Sequence, residues 1–253
     1  MMILVIGANT LREHLRDKIL YNLLLFALVL IGSSVLLIRL NHGDSERLIV
    51  DLGLSCVNLF GVVIAVFIGI GLVNKEIKSR TIETLVAKPV HRCEFLLGKY
   101  LGLVLTLATN TLLMLGGLLG VLMMMGMAIE PMLFKAVLLI FIELMLITAV
   151  ALLFSTVTTA SLSAILTLSM YVIGHLLDDL RTLTLKIEFG LRVLLMGMYY
   201  VLPNLESFNL KGRVIHHLEI GQSEFLLTIA YGLVYTMFLL FAAGLIFQRR
   251  DFR

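Results

Sequence analysis

Few residues in this 253-residue chain combine a reactive side chain with an unusual setting. The clearest is Glu143, an acid in the middle of the apolar run Ala136–Leu177. An ionisable group at such a depth is costly and is by default a functional feature, here a substrate-pathway or gating residue. The plainer use is a hydrogen-bonded tie between helices, with Asn110 or Asn58 as partner, and such ties are routine. His175, Asp178, Asp179, His216, His217 and Glu219, at and beyond the end of that run, could converge on the outer face. Their spacing matches no metal motif, and they read as a solvated polar rim. Met123, Met124, Met125 and Met127 have thioethers suited to Cu(I), but methionine is also an ordinary apolar filler, and that is the reading adopted. No metal site is assigned. Cys56 and Cys93 form neither a disulfide framework nor a metal motif.

Several chemistries lack their parts. No G-x-x-x-x-G-K-[ST] is present to cradle nucleotide phosphates, and neither H-E-x-x-H nor the G-x-S-x-G elbow occurs. A secondary transporter should show repeated halves with broken helices, and no such repeat is visible. An ATP-independent secondary transporter or an intramembrane enzyme therefore stand as the alternatives to the reading below.

The elements that must position these residues are membrane helices. Sixty per cent of the chain is hydrophobic, 15% is charged, and the mean hydropathy is +1.03. That balance identifies lipid as the solvent and an all-α polytopic fold. The net charge of +3 gives no argument for nucleic acid. About six spans are predicted, near 19–38, 52–73, 100–124, 133–154, 160–177 and 225–247. An amphipathic interfacial helix over 3–18 precedes them. The stretch after Lys18 is too long for a signal-peptide core and reads as a retained first span. Gly116-x-x-x-Gly120 has the spacing that lets helices approach closely. The Ser155–Ser161 segment is the natural turn between two spans, and 1–253 forms one domain.

Loop charges set the orientation. With both termini cytoplasmic, twelve Lys and Arg face inward, from Arg12, Arg16 and Lys18 through the 74–99 loop to Arg249, Arg250 and Arg253. Only Arg39, Arg47 and Lys135 lie in short outer loops. This is the positive-inside pattern. It makes 178–224 an external segment, with short helices stopped at Pro203, one of them dipping into the outer leaflet. It makes 74–99 a cytoplasmic loop in which Glu76 and Arg80 have i,i+4 spacing. Lys88-Pro89 ends the first helix of that loop, and Glu94 sits in the first turn of the next. On physics alone the loop could equally be a solvated topogenic segment.

The run from Asp51-Leu-Gly-Leu through Lys75-Glu76-Ile77 and Arg80-Thr81-Ile82-Glu83-Thr84-Leu85 resembles an ATP-binding-cassette (ABC) exporter permease of the second type. So do Lys88-Pro89-Val90-His91-Arg92 and Glu94-Phe95-Leu96-Leu97-Gly98-Lys99, and, more diffusely, Thr10–Glu13, Leu202–Leu205 and Phe247–Phe252. Within that family the chain is most similar to permeases for multicopper-enzyme maturation, typified by the nitrous oxide reductase maturation permease. His91 departs from the pattern, which usually has a small hydroxyl residue there, and so removes the capping-box partner of Glu94. The resemblance implies a transport subunit with no ATPase site of its own. It implies pairing with a second copy and with two copies of a separate ATPase that binds ATP and Mg. Glu76, Arg80, Glu83, Arg92 and Glu94 would then be polar contacts of a coupling loop bent at Pro89. It further implies the plasma membrane of a prokaryote (the inner membrane of a Gram-negative cell) and surrounding lipid; either a cargo crosses, or ATP hydrolysis drives a periplasmic or external partner at 178–224.

Overall fold

In the computed structural model the described residues are 2–14, 16, 18–38, 45–78, 92–184, 196–197, 199–215 and 218–249, and every regular element among them is helical. The helices are α1 (Met2–His14), α2 (Lys18–Ile38), α3 (Ser45–Lys78), α4 (Arg92–Met124), α5 (Pro131–Val157), α6 (Ala160–Thr184), α7 (Lys211–Ile215) and α8 (Gln222–Arg249). A 3-10 turn, Glu206–Phe208, precedes α7. Among the described residues, five stretches are long and apolar enough to cross a membrane: Arg47–Ile70, Glu94–Met124, Pro131–Val157, Ala160–Leu180 and Gln222–Phe247. The remaining expected span corresponds to α2, Lys18–Ile38, which carries no charge after Lys18.

Helix α5 is the centre of the bundle. It is apolar on all sides, as a helix surrounded by others must be, and Leu139, Leu144, Ile147 and Val150 are wholly enclosed. It packs against α3, α8, α4 and α6. Gly61 and Gly69, eight residues apart on α3, face Leu144 and Ala151 at distances that leave no room for a Cβ. The outer helices α6 and α8 turn Ile165, Val172, Val234 and Phe241 outward, the side that lipid covers.

The turns follow from local chemistry. Helix α4 ends in a Schellman motif. Met127 N–H donates to Leu122 O and Gly126 N–H to Met123 O, with Gly126 at φ +67°. Glu130 is extended and Pro131 opens α5, the position where a missing N–H costs nothing. The α5–α6 turn is two residues long, and the Thr158 N–H and hydroxyl both donate to Phe154 O.

Helix α1 lies against the start of α4. A Cβ at Gly102 would come 2.7 Å from Gly7 O and 2.5 Å from Thr10 Cβ. Lys99 and Glu13 pair at 4.0 Å across the same contact. By contrast, nothing lies within 4 Å of a Cβ built at Gly116 or Gly120. The close approach expected at Gly116-x-x-x-Gly120 is therefore absent among the described residues, whereas Gly7 and Gly102 meet backbone to backbone.

Candidate functional site

Glu143 is twelve residues from the start of α5, about 18 Å at 1.5 Å per residue, and so sits near the middle of the span. Its side chain is fully enclosed. A bare carboxylate there would be prohibitively costly, and the two flanking helices supply its partners. From α3, Asn58 Nδ2 donates to Glu143 Oε2 at 3.2 Å. From α6, His175 Nε2 lies 2.8 Å from Glu143 Oε1. Tyr171, one turn before His175, donates its hydroxyl to Asn58 Oδ1 at 3.0 Å and closes a ring of contacts across α3, α5 and α6.

The chain of contacts continues beyond the helices. His175 Nδ1 lies 3.0 Å from Glu206 Oε2, in the 3-10 turn, and Asn209 Nδ2 donates to Glu206 Oε1 at 3.0 Å. Exposure falls along this line: 39% for the Glu206 side chain, 20% for His175 and zero for Glu143. One imidazole thus connects a solvated carboxyl to a wholly buried one.

Glu206 reaches that position because segment 203–215 sinks into the bundle. Leu205, Phe208, Leu210 and Val214 are buried. Leu205 seats on Gly174 of α6, where a side chain would collide with it, and its N–H donates to Gly174 O at 3.1 Å. Phe208 packs over Gly232 of α8 and stacks on Tyr231. Irregular backbone at membrane depth is tolerated only when its polar groups find partners inside the protein. Here Tyr231 Oη accepts the Asn204 N–H, and Asn204 Oδ1 and Asn209 Oδ1 accept the N–H groups of Glu206 and Lys211. At the rim, Arg213 makes a two-pronged contact with Glu224 at 2.9 and 2.6 Å, which holds its guanidinium above the ordinary value.

Of the two partners expected for Glu143, Asn58 is bonded to it and Asn110 is not. Asn110 Nδ2 donates to Thr106 O in its own helix, and its buried Oδ1 has no partner among the described residues. His175, expected in a solvated rim, is inserted between Glu143 and Glu206 instead, because α6 continues as helix past 177 and turns that face inward. Asp178 accepts from Asn204 Nδ2 at 2.9 Å. Met123, Met124 and Met125 are exposed at the end of α4 and fill no core gap. Among the described residues, no group of three or more His, Cys, Asp or Glu is arranged to hold a metal ion. His216 and His217 lie outside the described residues, as do Arg80, Glu83 and Pro89 of the 74–99 loop. Glu76 is in the last turns of α3, and Arg92 and Glu94 are in the first turn of α4.

The sequence matches the ABC-2 family transporter protein over residues 8–252, nearly its whole length. The chain belongs to this family. An ABC-2 protein of this kind is a permease component of an ABC transporter, a multi-pass membrane protein, and the family implies an ABC ATPase subunit as partner. No curated protein matches the chain. In this ABC-2 permease the buried chain Asn58–Glu143–His175–Glu206 joins three membrane helices to the inserted segment. It can hold protons and fix helix positions.

Proposed function

We propose that the chain is the membrane half of an ATP-driven exporter or mechanotransmitter. Two copies pair and associate with two copies of a separate ATPase, which holds ATP and Mg. The 74–99 loop seats in that ATPase, with Glu76, Arg80, Glu83, Arg92 and Glu94 as polar contacts and Pro89 as the bend. Both termini are cytoplasmic, in the plasma membrane of a prokaryote, and 178–224 faces outward to cargo or to an external partner. The resemblance to multicopper-enzyme maturation permeases makes assembly of an external copper enzyme the favoured role.

The observation that carries this reading is the family match over 8–252. Helix α3 adds support. It continues as helix past the apolar run that ends at Val73, as far as Lys78, about 8 Å at 1.5 Å per residue. Lys75, Glu76 and Lys78 fall in that charged extension.

The test is co-purification with a co-expressed ABC ATPase subunit from the same source, using wild type, Glu76→Lys and Arg80→Glu. Wild type brings down the ATPase and the charge reversals lose it. If wild type purifies alone, the reading fails, and the buried Glu143–His175–Glu206 chain becomes the centre of an ATP-independent secondary transporter or intramembrane enzyme.

A further inference from the structure

The contacts around His175 fix a number of protons. A short N···O contact between an imidazole nitrogen and a carboxyl oxygen needs one hydrogen between the two heavy atoms. His175 makes two such contacts, Nε2 to Glu143 at 2.8 Å and Nδ1 to Glu206 at 3.0 Å. A neutral imidazole has one N–H, and two ionised carboxylates have none. The trio therefore holds two protons, one more than a neutral histidine between two carboxylates supplies. We propose that Glu143, His175 and Glu206 form a proton-binding site, and that release of its exchangeable proton unlatches segment 203–215 from the bundle.

The balance is simple. In the loaded state one hydrogen occupies each N···O contact. When one proton leaves to water, a single hydrogen remains for two contacts, and one imidazole lone pair then faces a carboxylate lone pair. The weaker contact is the one that opens. Glu143 is fully enclosed and keeps Asn58 as its further donor, so losing its histidine strands a buried charge. Glu206 is 39% exposed and keeps Asn209 and water as donors. The Nδ1–Glu206 contact is thus the one released. With it goes the side-chain link between His175 and the 3-10 turn that places Leu205 and Phe208.

The surroundings contain few other ionisable groups. Helix α3 presents Asn58 and Cys56, α4 presents Tyr100 (its hydroxyl donating to Met145 O), and α6 presents Tyr171 and Asp178. The inserted segment brings Lys211, whose positive charge acts on Glu143, and α8 brings Tyr231. Histidine is the side chain that ordinarily changes charge near neutrality, so the switch is sought on both sides of that range. The site is independent of the cargo and of the ATPase contact.

The test reads how often the segment lifts. In the full-length chain with Cys56→Ala and Cys93→Ser, the buried Leu210→Cys is labelled with a maleimide in lipid nanodiscs, and the rate is divided by that of the exposed Ser207→Cys at the same pH. The normalised rate should rise between pH 5.5 and 8, by up to about tenfold per pH unit, the limiting response of one linked proton. Glu206→Gln separates a proton site from a mere tie. The amide brings its own hydrogen, so both contacts to a neutral His175 are filled without an extra proton. Its labelling should be slow and flat with pH. Glu143→Gln removes the same requirement and serves if Glu206→Gln does not fold. A flat wild-type profile overturns the proposal, as does an equal rise in both glutamine variants.

Discussion

Seating of the inserted segment on α6 can be probed by a change whose sign depends on its background. Gly174 has no side chain because Leu205 occupies the space. A Cβ there would lie 2.6 Å from Leu205 Cγ, 2.8 Å from Leu205 Cδ1 and 3.0 Å from Pro203 O. Gly174→Ala forces this overlap, at about 1–3 kcal/mol for overpacking. It also gains about 1 kcal/mol from replacing glycine inside a helix. The net is a loss of about 0–2 kcal/mol in the wild-type background. Leu205→Ala alone empties a fully buried leucine site, and its cost is about 2–5 kcal/mol. In the double variant the methyl introduced at position 174 enters the vacated space, the overlap with the leucine is gone, and the helix gain remains against the 3.0 Å approach to Pro203 O. Gly174→Ala should therefore stabilise Leu205→Ala by up to about 1 kcal/mol, with a coupling inside the range seen for touching residues. The assay is the unfolding midpoint of the purified chain in detergent for the four members of the cycle. Additive shifts, or Gly174→Ala acting with the same sign in both backgrounds, would mean that Leu205 does not pack on Gly174.

The glycines of α4 supply two further expectations. Gly102→Ala meets Gly7 O and Thr10 Cβ, atoms that cannot swing away, so α1 should come loose and limited proteolysis should remove it faster than from wild type. Gly116→Ala meets nothing within 4 Å and should leave the unfolding midpoint of the single chain unchanged, or raise it through about 1 kcal/mol of helix propensity.

These glycines also show where a sequence is readable and where it is not. Apolar runs interrupted by Gly126, Pro131 and Thr158 mark spans and turns, because bilayer thickness and turn chemistry act locally along the chain. Which face of one helix meets which face of another is decided by packing. Gly116-x-x-x-Gly120 has the right spacing yet meets no neighbour, while Gly7 and Gly102, 95 positions apart, touch. The same limit applies to the site. Glu143 stands out as an acid in a long apolar run, and Asn58 is a natural partner at matching depth in α3. His175 carries a comparable signal, an ionisable residue within the apolar stretch that ends at Leu177. Its nearness to Asp178 and Asp179 makes it read instead as part of a polar rim. Glu206 carries no signal, since nothing in Pro203-Asn204-Leu205-Glu206 reveals that an irregular segment folds back into the bundle. Its burial depends on Gly174 and Gly232, which lie 32 residues before and 26 after it.

The most direct test of the central claim is contact between the 74–99 loop and the ATPase. Glu83→Cys, in a chain with Cys56→Ala and Cys93→Ser, would be co-expressed with the same ABC ATPase subunit and treated with a short bis-maleimide. Glu130→Cys, at the opposite end of the bundle, would serve as the control. A permease coupled through this loop gives a cross-linked permease–ATPase band from position 83 and none from position 130. The absence of a band from position 83, with both proteins present in the membrane, would contradict the account.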